Sequence, residues 1–497
     1  MSDWAYFGLF FMVLFALVGA ADVVRRGLHW APEVTRKSVH VITALLVATT
    51  PFLFQQKAPL VVLASIFVVV NYVGVRFRLF QGMHGTERQT YGTVFFPLAF
   101  IALLYWQWDR HPLIIVLAML VLGLADTVAA LVGENVRNPH RFRLGREPKS
   151  LEGSVAMFAA SFVIVLVGLV ALGPHFGEKI SLGMAVWAAF LAALFGTAGE
   201  AISFSGSDNF TSPLAVAFVL DLFLSYPSYQ AWTFTFGAAL AVVVAALSYR
   251  ARFLDAGGAV LTAALGSVVF GLGGWSFTVP ILTFFILSSL LSKVGRRRRE
   301  SVLDVFEKHS TRDLAQVLAN GGLAGLLVLA WFYLRLPQLY VLYLASLAAV
   351  TADTWGTELG VLSGLTPRSV LNWKRVTIGT SGGVTVAGVL GGVLGSLAIG
   401  LSGWLSAGEQ FRQLWGVRLL LIVIAAGVLA SLVDSFLGAT VQAQHRCVKC
   451  GKVTEKLVHC GVATEPVRGL LWMNNDVVNG FCAFSGVVFA WAMIHSF

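Results

Sequence analysis

Charge is scarce in this chain. Only 12% of its 497 residues are Asp, Glu, Lys or Arg, against 57% hydrophobic residues and a mean hydropathy of +0.79, which leaves too little polar surface to coat a water-soluble globule. Cysteine is scarcer still: four residues are too few for a disulfide framework, and three of them, Cys447, Cys450 and Cys460, fall in one polar loop. The nucleotide signatures of soluble enzymes are missing. The stretch ending at Lys149-Ser150 lacks the glycine that a Walker A loop places before its lysine, and no Gly-rich kinase loop occurs. Also absent are the alternating ten-residue segments of a transmembrane barrel.

What is present is apolar length. Crossing a ~30 Å hydrocarbon core takes about 20 mostly apolar residues, and runs near that length occur sixteen times. They cover 5–24, 38–55, 58–75, 91–106, 112–134, 152–172, 182–198 and 211–225 in the first half. In the second half they cover 230–249, 255–273, 275–292, 317–334, 338–362, 382–404, 415–440 and 476–496. The expected fold is all-α: a polytopic transmembrane helical protein of about 16 spans in two halves of about eight. The run at 5–24 reads as a first span, because no basic stretch precedes it and no small-residue cleavage site follows before Arg25 and Arg26.

The net charge of +10 reads as topology rather than as a nucleic-acid surface. With the N-terminus outside, 29 of the 35 Lys and Arg residues fall in alternate, inside loops, leaving Lys57, Arg110, Lys179, Arg335, Arg412 and Arg418 outside. Both termini then lie outside, and the polar loops face the cytoplasm across a cell (inner) membrane. The run Arg296 to Arg299 reads as an anchor to anionic headgroups rather than as a nucleotide site.

A boundary near 228 gives two expected domains, 1–228 and 229–497, the second with a Cys-containing cytoplasmic loop at 441–475. They share a motif: Ala125-Asp126-Thr127 with Gly133 recurs as Ala352-Asp353-Thr354 with Gly360, each followed by a basic polar loop. Chance in a low-complexity apolar chain is the bland explanation; duplication or a repeated catalytic strategy is the other. A carboxylate within a span costs roughly 2.5–3.5 kcal/mol on insertion scales, so Asp126, Asp353, Glu358 and Asp434 need partners or water. Asp126 precedes a loop with Arg137, Arg141, Arg143, Arg146 and Lys149, and the loop at 199–212 adds Glu200, Asp208 and Asn209. Carboxylates beside a basic loop suit Mg²⁺ on nucleotide phosphates; they also suit a transporter with intramembrane carboxylates.

Arg36-Lys37 with His40, Asp126-x-x-Ala129-x-x-x-Gly133, Lys149-Ser150-Leu151-Glu152-Gly153-Ser154, and then Glu200, Gly206, Asp208-Asn209 and Pro213 together resemble the dolichol kinase and phytol kinase family over about residues 20–225. Arg137 stands where that family usually has a second glycine. The second half, from about 240 to 497, resembles the plant-type phytyl-phosphate kinase family. It does so through Arg312-Asp313, Gln316-Val317, Ala319-Asn320, Ala345-Ser346, Asp353-Thr354, Thr357-Glu358-Leu359-Gly360, Gly379-Thr380-Ser381-Gly382-Gly383, Asp434-Ser435, Gly438-Ala439, Gln442, Asn475 and Asn479.

The first resemblance implies CTP-dependent phosphorylation of a long-chain isoprenoid alcohol, and the second implies a second phosphorylation, of the monophosphate, by a nucleoside triphosphate. The expected partners are therefore membrane lipid, the isoprenoid alcohol and its monophosphate, without nucleic acid. In the first half Asp126 and Glu152 are expected to act as metal ligand or general base and His40 as proton acceptor. Arg36, Lys37, Lys149, Ser150 and Gly153 are expected on phosphates, and Glu200 and Asp208 on Mg²⁺. In the second half Asp353, Glu358 and Asp434 are the expected metal or catalytic carboxylates, and Lys374, Arg375, Gly379, Thr380, Ser381 and Gly382 are expected on phosphates. A cytidylyltransferase that moves CMP to a lipid phosphate needs the same ingredients. Cys447-x-x-Cys450 with His459 and Cys460 resembles half of a zinc ribbon, with His445 as an alternative ligand; a reduced thiol pair on a solvated loop is the other reading. Cys482 reads as a small core residue.

Overall fold

The computed structural model describes residues 1–29, 32–77, 90–145, 147–294 and 311–496; the run Arg296 to Arg299, Arg146 and most of 76–88 lie outside the described residues. The chain divides into two compact units, Met1–Ala231 and Trp232–Phe497.

The first unit contains α1 (Asp3–Leu28), α2 (Pro32–Ala48), α3 (Ala58–Phe77), α4 (Gly92–Gln107), α5 (Pro112–Asn135), α6 (Leu151–Ala171), α7 (Leu182–Ala201) and α8 (Asp208–Ser225). Serines start three of them: the Ser2, Ser150 and Ser181 side chains accept from backbone N–H groups of the first turns of α1, α6 and α7. The centre is α5, whose residues Leu113 to Met119 are all buried, as befits a helix apolar on every side. A two-stranded hairpin, β1 (Arg141–Arg143) with β2 (Pro148–Ser150), joins α5 to α6.

The second unit holds α9 (Ser228–Arg250, which begins just before it), α10 (Ala256–Val294), α11 (Leu314–Leu334), α12 (Gln338–Leu362), α13 (Val386–Ser406), α14 (Arg418–Thr440) and α15 (Asn475–Ser496). Here α12 is central: every residue from Tyr340 to Ala352 is buried, and the Tyr340 and Tyr343 hydroxyls donate to the carbonyls of Gly403 and Phe277 at 2.7 and 2.5 Å. The hairpin β3 (Arg368–Ser369) with β4 (Gly383–Val384) joins α12 to α13. A four-stranded antiparallel sheet of order β6-β5-β8-β7 stands between α14 and α15, built from β5 (Gln444–Cys447), β6 (Val453–Thr454), β7 (Val458–His459) and β8 (Val462–Arg468).

All sixteen expected apolar runs fall on helices, yet among the described residues eleven helices are long and apolar enough to cross a membrane. The difference has physical causes. The runs 255–273 and 275–292 are two helical stretches, together α10, that meet at the non-helical Gly274 (φ 63°, ψ −166°) without a polar loop and so count once among the eleven. The short α2 and α4 have 17 and 16 residues, and α8 and α12 carry carboxylates and hydroxyls because protein rather than lipid surrounds them. The three small sheets lie in polar connections that the all-helical expectation passed over. Cys482 is buried against Ala349 and Ala430, a core residue as its setting in an apolar helix suggests.

Candidate active site

In the first unit the site is built where α5 departs from α-helical winding. Residues Val121–Ala125 form a π turn: the Asp126 N–H reaches back five residues to the Val121 carbonyl, and the Leu122 carbonyl accepts from His40 Nε2 at 3.0 Å. That nitrogen lies 4.0 Å from Asp126 Oδ2 and carries its proton toward Leu122, so on this edge His40 acts as a donor rather than as the expected proton acceptor. Carboxylate oxygens of Asp126 on α5, Glu200 at the end of α7 and Asp208 at the start of α8 converge within 4.8 Å of one another.

Lys149, on β2, pairs directly with Glu200 and stands 3.9 Å from Asp208. Burial works to lower its pKa, but Glu200 and Asp208 outweigh burial and hold it above the ordinary lysine range, so this ammonium stays charged at neutral pH. Ser150, next in sequence, caps α6 by accepting from the Gly153 N–H at 3.2 Å. A Cβ at Gly133 would come 2.6 Å from the Ser150 hydroxyl, and one at Gly153 would come 3.0 Å from the Ala129 carbonyl. Ala129, Gly133, Ser150 and Gly153 are thus residues of a helix-on-helix seam, and that seam sets Lys149 against the carboxylates.

A cavity of about 1290 Å³ opens onto this cluster. Its polar lining includes Arg36, Lys37, His40, Asp126, Lys149, Ser150, Gly153, Glu200, Asp208 and Asn209. Its apolar lining includes Leu14 and Val18 on α1, Val39 and Val47 on α2, Leu63, Phe67 and Val75 on α3, and Phe96 and Phe100 on α4, recurring at helical spacing. Arg36 Nε is buried with no hydrogen-bond partner among the described residues, in the same cavity lining as Asp126. Lys37 is held by Glu134 at 2.5 Å. Glu152 is not part of the cluster. Its carboxylate accepts from His140, at 3.0 Å from the backbone N–H and 2.7 Å from Nδ1, and so closes the base of the β1–β2 hairpin rather than serving as base or ligand.

The second unit repeats the device. Thr354 Oγ1 donates to the carbonyl four residues earlier at 2.7 Å, as Thr127 does in the first unit. Thr385 caps α13 by accepting from Gly388 at 2.9 Å, with Gly356 and Gly360 of α12 packed against Thr385 and Gly388. Asp353 lies within electrostatic reach of Asp434 of α14, and Asp434 Oδ1 is buried without a hydrogen-bond partner among the described residues. The glycine loop explains another motif. Gly382 (φ 78°) lies so close to α14 that a Cβ would come 2.6 Å from the Ser435 carbonyl and 2.4 Å from the Ala439 side chain.

Three expectations change here. Glu358 lies apart from the Asp pair: its carboxylate accepts from Ser292 at 2.6 Å and interacts with Arg312, which stacks over Phe284 and Phe285. Burial pushes the Arg312 guanidinium down to about 10, which leaves it cationic. Lys374 and Arg375 are exposed on the β3–β4 connection, and it is the glycine loop, through Gly382, that packs on α14. Arg312-Asp313 with Gln316 is chiefly a capping box, Asp313 and Gln316 exchanging side-chain and backbone hydrogen bonds at the start of α11. One carboxylate went unnoticed in the sequence. Glu455, between β6 and β7, accepts from Ser381 Oγ at 2.8 Å and Gln442 Nε2 at 2.9 Å and lies within electrostatic reach of Asp353 and Asp434.

Cys447, Cys450, His459 and Cys460 converge, their ligand atoms all within 4.8 Å. His459 Nδ1 stands 3.5 Å from Cys450 Sγ and 3.2 Å from Cys460 Sγ. His445 is buried on β5 outside this cluster.

The model of the family described as integral membrane protein DUF92 matches residues 239–487, half of the chain. The chain belongs to that family. An uncharacterized membrane protein of Methanocaldococcus jannaschii is 34% identical over 199 residues, 40% of this chain and 78% of that protein. Protein PGR of Arabidopsis thaliana is 30% identical over 266 residues, 49% of this chain and 90% of its own. A phytol kinase of Synechocystis sp. is 29% identical over 218 residues, 44% of this chain and 90% of its own. No solved structure matches the chain.

Proposed function

We propose that the chain is a bifunctional isoprenoid alcohol kinase: the first unit phosphorylates a prenyl alcohol such as phytol, farnesol, geranylgeraniol or a polyprenol with CTP, and the second phosphorylates the monophosphate to the diphosphate. The observation that carries this reading is the cavity of the first unit, which is lined both by the acidic and basic cluster and by apolar faces of four helices. Likeness to a protein named phytol kinase supports the choice of alcohol.

Mg²⁺ fits the donor set. Octahedral oxygen ligands at about 2.0–2.1 Å stand roughly 3–4 Å apart, compatible with the mutual approach of Glu200 and Asp208, with Asp126 beside them in the role of base. Bound there, Mg²⁺ would neutralise the nucleotide phosphates. The chain's own groups do the rest. The apolar lining holds the prenyl tail, so the hydroxyl is presented to the polar cluster; Arg36 and Lys149 offset phosphate charge; and Asp126 takes the hydroxyl proton as the alcohol oxygen bonds to the γ-phosphorus and CDP leaves with the bridging oxygen's electron pair. In the second unit Asp353 and Asp434 are the candidate Mg²⁺ ligands, and backbone N–H groups of the Gly379 to Gly383 loop are the candidate phosphate donors. Joining both steps in one chain keeps a poorly soluble monophosphate near its second enzyme.

In this reading the protein lies in the cell (inner) membrane with the loops at 137–150, 199–212, 366–380 and 441–475 in the cytoplasm. The deciding experiment supplies membranes containing the protein with each alcohol and labelled CTP and separates lipid products by phosphate number. Monophosphate and diphosphate with CDP release are expected. Pyrophosphate release would make it a cytidylyltransferase, and uptake of labelled substrate without nucleotide consumption would make it a transporter.

A further inference from the structure

We propose that the sheet β5–β8 is a zinc-held clamp, in which one Zn²⁺ on Cys447, Cys450, His459 and Cys460 fixes Glu455 against the Gly379 to Gly383 loop. Three independent features point to the metal. First, thiolate and imidazole ligands at about 2.3 and 2.0–2.1 Å from a tetrahedral centre stand about 3.6 Å apart, close to the 3.5 and 3.2 Å separations of His459 Nδ1 from Cys450 and Cys460. Second, the sheet has almost no apolar interior. Cys447, His445, Thr454 and His459 are buried in it, whereas Val448, Val453, Leu457 and Val458 are exposed. A segment of this size with an inside-out pattern needs a cross-link other than a hydrophobic core. Third, the ligand pairs are followed by Gly451 (φ 73°) and Gly461 (φ 76°), which turn the chain back at each pair, and Cys460 itself is held at φ 52°. A residue with a side chain keeps that conformation only where its surroundings impose it. Three sulfurs and one imidazole select zinc, and four protein ligands leave no open position for chemistry.

The clamp has a defined target. Glu455 sits between the two ligand pairs and accepts from Ser381 and Gln442, while Arg468 at the end of β8 donates to the Gly438 carbonyl at 3.0 Å. Ser381 is followed by Gly382, which packs on the Ser435 to Ala439 turn just after Asp434. Metal, Glu455, loop and Asp434 turn thus form one contiguous chain of contacts. Glu455 is a positioning residue: it orients the loop through Ser381. Its relevance to phosphoryl transfer rests on the reading of the second unit given above; the clamp itself does not.

The test uses the full-length protein purified in detergent, with zinc measured by elemental analysis and the loop followed by hydrogen exchange of peptides spanning 377–384. One zinc per chain is expected, with at least about tenfold faster exchange in 377–384 after zinc is stripped and recovery on adding Zn²⁺ alone. Because Cys450→Ser with Cys460→Ser could simply unfold the sheet, the second arm leaves the metal in place. Glu455→Ala should keep full zinc and still loosen the loop, and Glu455→Gln, which retains an accepting oxygen, should largely restore protection. Absence of zinc from the purified protein, or unchanged exchange after stripping, would overturn the proposal; so would a loop indifferent to Glu455→Ala. Zinc-dependent protection in a protein that phosphorylates nothing would uphold the clamp and reject the kinase reading.

Discussion

The two units set the same frame among different charges. In each, an Asp-Thr pair on a central helix is followed by glycines that pack on a capped helix start, Ser150 with Gly153 in one and Thr385 with Gly388 in the other, and a two-stranded hairpin joins them. What the frame carries differs. In the first unit the residue before the cap is Lys149, which reaches a cluster of three carboxylates; in the second it is Val384, and the accessory carboxylate arrives from the small sheet as Glu455. The seam therefore belongs to the scaffold, and charge around the Asp is what each unit has changed. In the proposed reading an alcohol must be deprotonated beside CTP, whereas a monophosphate already carries its own negative charge.

The largest expected effect breaks the comparison in two. Asp126→Asn should lower alcohol phosphorylation by about 10²–10⁴-fold while added monophosphate is still converted, and Asp353→Asn should do the reverse and accumulate monophosphate. If each substitution abolishes both steps in folded protein, one composite site replaces the two. Next comes Lys149→Met, which leaves Glu200 and Asp208 facing each other in a half-buried setting. We expect a loss of about 3 kcal/mol, read as a lower Tm in detergent, with no counterpart for Val384→Met. The pH dependence has a definite sign. Lys149 is raised in the folded state, so its stabilisation is fully present below the ordinary lysine range and fades only as pH rises through the raised value. A stability profile that falls between pH 7 and 9 and is flattened by Lys149→Met would contradict this.

Smaller effects sharpen the likeness of the seams. At Gly133 a methyl group would press on the Ser150 hydroxyl at 2.6 Å and disturb the cap, whereas at Gly360 the Thr385 hydroxyl stands at 3.2 Å. Gly133→Ala should cost about 1–3 kcal/mol and Gly360→Ala less than about 1 kcal/mol, measured by thermal unfolding. The smallest expected effect is that of Glu152→Gln. With its partner His140 exposed, alcohol phosphorylation should change by no more than about fivefold, and a hundredfold loss would return Glu152 to the site.

Spans were legible in the sequence because an apolar run of the right length has few alternatives in lipid. The break at Gly274 was legible as well, as the boundary between the apolar runs 255–273 and 275–292, although no polar loop marks it. The carboxylates Asp126, Glu200 and Asp208 were legible as residues out of place in or beside spans, and the structure brings them together. Glu152 and Glu358 misled because a motif records a residue without its reason: one carboxylate closes a hairpin, the other faces Arg312. Glu455 escaped for the opposite cause. It sits among Lys452, Thr454 and Lys456 in a loop where charge is ordinary, and its only signal was its place between two pairs of metal-type ligands.

The π turn at Val121–Ala125 has a consequence for how this protein tolerates insertion and deletion. A π turn holds one residue more than the α turn it replaces, so removing any one residue from it would leave a regular helix with Asp126 still directed toward Glu200 and Asp208, and would return the Leu122 carbonyl that His40 reaches to the helix's own hydrogen bonding. The α12 helix reaches Asp353 without such a turn, continuous over Gln338–Leu362. A single-codon deletion within 121–125 should therefore leave the membrane fold and the carboxylate cluster in place, whereas the matching deletion within 348–352 would turn Asp353 and every later residue of that helix by about 100°.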